Sequence, residues 1–186
     1  MGTDLTIYEK KNFKQNEKGK FTYEVEELET FSSYIAAQLC SAIYGLDDLT
    51  NGSEKEIEER DIVAADTDVA EALLMAKEEL KDSENVSKQI EEFAEKLNKH
   101  YEYNDYKTIL LAPSYYWTEV QNARVAILNQ ADREYFNVLQ SANYLHSCKE
   151  QRVGELTETL EDLREFIKEY ELKAEGDRVF LAHFSY

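Results

Sequence analysis

Leu5 and Ile7 alternate with polar residues near the start of the chain, and Phe21, Tyr23 and Val25 repeat the alternation further on. A period of two puts the apolar set on one face of a half-buried strand. The spacing therefore predicts two strands flanking the polar stretch Lys10 to Lys20, a hairpin with a long tip. At the other end, residues 178–186, "RVFLAHFSY", are rich in β-branched and aromatic side chains. After the Glu175-Gly176-Asp177 turn they are placed to return and pair with the hairpin. Lys107 to Ala112, "KTILLA", offers a fourth strand.

Between these ends the apolar period lengthens to that of helices. Phe31 to Leu46 holds no charge, but it is too short and too rich in Ser and Gln to span a bilayer, so it reads as a buried helix. Val86, Ile90, Phe93 and Leu97 form one helical stripe. Val120, Ile127, Ala131, Tyr135, Val138, Ala142 and Leu145 form a wider one on a long helix that Pro113 separates from "KTILLA", with Ser114 or Thr118 as its cap. Val153, Leu156, Leu160, Leu163, Ile167 and Tyr170 alternate steps of three and four, the spacing of a helix packed along a seam. The fold class expected is α+β and mainly helical. Residues 1–28 and 178–186 supply a small antiparallel sheet and residues 30–175 are mostly helical. No repeat and no Gly/Ser linker divides residues 1–186, which points to a single domain.

Charge changes the picture most. The formal net charge is -18, yet 42% of the 186 residues are hydrophobic and 12% aromatic, too many for a disordered acidic tail. Such a chain should fold in spite of self-repulsion. It should also avoid naked nucleic acid and anionic membrane and favour basic partners or multivalent cations. Cys40 and Cys148 are the two cysteines, and no charged segment followed by an apolar one opens the chain, so a cytoplasmic protein is expected. The opening Met-Gly-Thr-Asp-Leu-Thr formally fits N-myristoylation, but the same residues begin a strand.

Few residues carry catalytic chemistry. From Asp47, "DDLTNGSEKEIE" matches a calcium loop at Asp47, Asn51, Gly52 and Glu58, but Leu49 cannot ligate and Glu54 replaces the usual aliphatic residue. Ser53 and Glu56 make a capping box, so the better reading is a turn after Gly45 and then a helix. His100, His146 and His183 have no Glu three residues before them, and there is no HExxH, paired CxxC or glycine-rich phosphate loop. Neither a metal nor a cofactor is expected. Carboxylate pairs for magnesium or manganese chemistry keep a metal-dependent enzyme as a third alternative.

The acids are segregated. Residues 21–82 hold seventeen acids and four bases, and residues 150–177 ten and four, whereas the hairpin carries Lys10, Lys11, Lys14, Lys18 and Lys20. Glu155, Glu158, Asp162, Glu165 and Glu169 repeat the three-four stepping of the apolar seam on another face, one continuous acid row. Glu161 and Arg164, or Glu169 and Lys173, are spaced to pair across it. Tyr101, Tyr103, Tyr106, Tyr115, Tyr116 and Trp117 crowd a second region, and interfaces favour such rings.

In size, charge and lack of catalytic motifs the chain resembles the small acidic inhibitors encoded by phages and mobile elements, the anti-restriction and anti-CRISPR proteins. The resemblance implies a non-catalytic, stoichiometric inhibitor that occupies the basic cleft of a nucleic-acid-binding protein, such as a nuclease or nucleoprotein complex, without binding DNA or membrane itself. Glu155, Glu158, Asp162, Glu165 and Glu169, with Glu56, Glu58 and Glu59, would then compete with phosphates, and Tyr115, Tyr116 and Trp117 would anchor the contact. The alternative is an interaction or structural module that uses the apolar Val153 to Tyr170 seam or the aromatic cluster.

Overall fold

A computed structural model describes residues 4–44 and 53–185, except for the side chains of Phe21, Ser33, Tyr44 and Ser53. The chain forms two compact units, Met1–Met75 with Val153–Tyr186, and Ala76–Arg152.

Among the described residues the first unit is built on four antiparallel strands, β1 (Asp4–Gln15), β2 (Phe21–Ser32), β3 (Ser53–Glu58) and β4 (Val179–Ser185), in the order β2-β1-β4-β3. The hairpin tip is shorter than the lysine-rich stretch suggested. Asn16 Oδ1 accepts from the backbone N–H of Lys18 and Lys20 at 3.0 and 2.9 Å, and Gly19 takes φ +75°, which an L side chain rarely adopts. The C-terminal strand pairs with β1 as its alternation predicts, Leu5 opposite Phe184 and Ile7 opposite Ala182. Along β4 every second residue is buried. Those residues, with Leu5, Ile7 and Ile57, meet Ala36, Leu39 and Cys40 of α1 (Ser33–Tyr44), Ile62 and Ala65 of α2 (Glu59–Lys81), and Leu163 and Phe166 of the last helix.

Two expectations fail here. The fourth strand is β3, not Lys107 to Ala112: an edge strand needs only one buried face, and Ile57 alone supplies it. Nor do Ser53 and Glu56 cap a helix, since both lie in β3. Helix α2 begins at Glu59, where the Asp61 carboxylate accepts the Glu58 N–H at 2.8 Å. Of the calcium-loop pattern, Asp47, Asn51 and Gly52 lie outside the described residues, and Glu58 ends a strand and pairs with Arg60 at 2.8 Å.

The second unit contains α3 (Asn85–Tyr101), α4 (Tyr106–Leu111), a short 3-10 turn at Ser114–Tyr116, α5 (Glu119–Ala126) and part of α6 (Gln130–Glu169). Ile90, Phe93 and Leu97 bury the predicted α3 stripe against Tyr106, Ile109, Leu110, Phe136 and Leu139. "KTILLA" is helical because Tyr106, Ile109 and Leu110 present one buried face at steps of three and four. Thr118 caps α5 in a full capping box with Gln121. The long helix predicted from Val120 breaks at residues 127–129 and restarts at Gln130. It then runs unbroken for 40 residues through the helix read as separate. Its restart is fixed by Asn129, whose Oδ1 accepts the Asp132 N–H at 2.9 Å, while Asp132 accepts from Asn129, Lys96 and Tyr101.

Candidate functional site

Helix α6 fixes the acid row because steps of three and four return each side chain to nearly the same azimuth. Glu155 to Glu169 spans about 21 Å at 1.5 Å per residue. The row lies beside the buried Leu156, Leu160 and Leu163, so those seam residues are turned into this chain's own fold and present no apolar surface to a partner. On the other side of the row a groove of about 410 Å³ opens, walled by Glu29 of β2 and by Asp162, Glu165 and Glu169, with Phe31, Ile35 and Phe166 beneath.

Two facts define its electrostatics. Among the described residues, none of Glu158, Asp162, Glu165 and Glu169 pairs with a lysine, arginine or histidine within 4.0 Å. The flanking Arg164 instead turns to Asp66 of α2, Nε to Oδ1 at 2.6 Å and a second contact at 3.3 Å. The row's charges are consequently felt by one another. Burial first, and then Glu158, Glu165 and Glu161, push the Asp162 carboxyl above its usual range. The Tyr34 hydroxyl donates to Glu158, and that bond, with burial and the charges of Glu158, Glu155 and Asp162, lifts the phenol to about 12.

Other expected contact residues are placed differently. Glu56 neutralises Lys10 across the sheet, and Glu58 holds Arg60. Glu59 departs furthest from the surface role expected of it. It is only 3% exposed, and its carboxylate accepts the Lys173 N–H at 2.7 Å and lies 3.6 Å from Arg178 Nε. Arg178 in turn donates to the Tyr170 carbonyl at 2.6 Å, closing the end of α6. Burying a carboxylate is tolerable only with such partners, and here they join the start of α2 to the turn before β4.

In the second unit Tyr115 and Tyr116 are exposed, their ring centroids 4.3 Å apart. Trp117 is half-buried: its ring packs edge-on against Phe136 at 5.9 Å, and its Nε1–H donates to the Ala112 carbonyl at 3.1 Å. Tyr106 is fully buried, and burial raises its phenol to about 12.

Sequence reasoning missed Glu29 and Tyr34, which reach the row from β2 and α1 through tertiary packing alone. The acidic run of β2, "YEVEELE", was the one available signal. Among the described residues no three His, Cys, Asp or Glu side chains converge to hold a metal ion, and no helix is long and apolar enough to cross a membrane. Cys40 and Cys148 are free thiols. No protein-family model, curated protein or solved structure matches the chain.

Proposed function

We propose that the α6 acid row is a phosphate-like surface, and that the protein is a non-catalytic cytoplasmic inhibitor that occupies the basic cleft of a nucleic-acid-binding protein. The observation that carries this reading is the set of neighbouring carboxylates, Glu158, Asp162, Glu165 and Glu169, left without a cationic partner among the described residues. A merely solvated helix gains from pairing such groups with its own Lys and Arg. Here Arg164 is drawn to Asp66 instead.

Five carboxylates over ~21 Å approach the charge density of a nucleic-acid strand, which presents one phosphate per ~3.4 Å of duplex axis. Glu29 widens the negative field at the groove, whose apolar floor suits the hydrocarbon stem of an arginine or lysine. A net charge of -18 exceeds the magnitude of about 2 to 8 that solubility of a small domain needs, which favours a use for the surplus. The likeness to small acidic phage and mobile-element inhibitors supports the same mechanism.

The test is capture of proteins from the native host on the immobilised chain, eluted across a salt series. The expected catch is nucleic-acid-binding proteins that lose nucleic acid one-for-one with added inhibitor and are released by salt. The combined substitution Glu158→Lys, Asp162→Lys, Glu165→Lys and Glu169→Lys should abolish capture while circular dichroism shows the fold retained. Capture that persists in high salt, or survives the reversal, sinks the proposal.

A further inference from the structure

Nearly a third of the chain is charged, yet residues 108–118, "TILLAPSYYWT", and 135–148, "YFNVLQSANYLHSC", contain no Asp, Glu, Lys or Arg. The second unit brings these two stretches together. Gln140 Nε2 and Trp117 Nε1 both donate to the Ala112 carbonyl at 3.1 Å, which pins the loop against α6. The wider helical stripe read from the sequence, Val120 to Leu145, is largely exposed, because on α6 Asp132, Phe136 and Leu139 supply the buried face. Val138 is 61%, Tyr144 65% and Leu145 60% exposed, and Tyr115 and Tyr116 are 76% and 70% exposed. Pro113 and Tyr115 face Tyr144 and Leu145 across a hollow of about 420 Å³. A second hollow, of about 260 Å³, opens between Leu111 and Tyr144.

We infer that this charge-free tyrosine and leucine face is where two copies of the chain pair. Three observations select a second copy. The face carries projecting rings and hollows side by side, as a two-fold interface needs when one patch must fit itself. The exposed surface of those five side chains and Leu111 comes to roughly 700 Å² per chain, close to the ~800 Å² each partner gives to a standard stable interface. And the face bears neither sign of charge, so two chains of net charge -18 meet here with the least repulsion at the contact itself. A patch of this size is above what a monomer ordinarily leaves bare.

The inference does not rest on the acid row, and salt separates the two. Screening relieves repulsion between two anionic copies, so pairing should tighten between about 0.1 M and about 1 M salt, where the Debye length falls from ~10 Å to ~3 Å. Binding of a cationic partner to α6 should weaken over the same range. Sedimentation equilibrium of the full chain should give twice the 21.7 kDa chain mass. Leu145→Ala should raise the dissociation constant ~100-fold, about tenfold for each of the two copies. Tyr115→Ala should act in the same direction, and the four-lysine acid-row variant should still form the dimer. Both alanine sites are exposed, so circular dichroism should show unchanged folding. A chain monomeric at every salt concentration, or a dimer indifferent to both alanines, overturns the inference.

Discussion

Replacing Asp162 with Asn removes one charge from the middle of the acid row while keeping the side chain's shape. Burial and the charges of Glu158, Glu165 and Glu161 hold this carboxyl above its usual range, so folding favours its neutral form. An ionised group in that position opposes folding. The penalty is fully present above the raised folded pKa, and it disappears as pH falls through that value to the unfolded value of ~3.9. Like charges three or four residues apart on a helix cost ~0.2–0.5 kcal/mol each. Two such neighbours, the adjacent Glu161 and some burial together make Asp162→Asn worth about 1 kcal/mol at neutral pH and low salt, or ~2–4 °C in melting midpoint for a chain of this size. Thermal unfolding by circular dichroism measures this directly. The gain should shrink as salt rises from ~0.01 M to ~1 M, and as pH falls towards 4. An Asn variant that melts lower than the parent, or whose gain ignores salt, would show that the row is neutralised, and with it the proposed function would lose its main support.

Two further outcomes test the structural frame. A Cβ at Gly176 would fall 1.9 Å from a Glu59 carboxylate oxygen, so Gly176→Ala must displace a buried, hydrogen-bonded charge. A loss of about 2–4 kcal/mol is expected, read from urea unfolding, and an unchanged midpoint would refute the placement of Glu59. Asp132 behaves oppositely to Asp162: the Lys96 ammonium above all, with Tyr101 and Asn129 against burial, holds its carboxyl below the usual range. Its contribution is present above the unfolded value of ~3.9 and is lost as pH falls through the lower folded value. Asp132→Asn should therefore cost ~1–2 kcal/mol at pH 7, and urea midpoints of variant and parent should converge below pH ~4.

The sequence by itself determined the α+β class, the hairpin, the alternation of the C-terminal strand, the α3 stripe, a cap at Ser114 or Thr118 and the azimuth of the acid row. All of these follow from local periodicity or from residues within one turn of each other. Tertiary structure decided what periodicity leaves open. "KTILLA" and "SEKEIE" exchange their expected roles because a short segment takes whichever form buries its few apolar side chains, Ile109 and Leu110 in one case and Ile57 in the other. The Val120 to Leu145 stripe has the right spacing but is largely exposed, with Tyr135 packed against Phe93, since a period shows that a face exists and not what covers it. Above all, whether an acid is free or paired depends on cations far along the chain. Arg164 goes to Asp66 and Lys10 to Glu56, and Glu59 is buried among backbone donors, so it is Glu158, Asp162, Glu165 and Glu169 that are left without a cationic partner among the described residues.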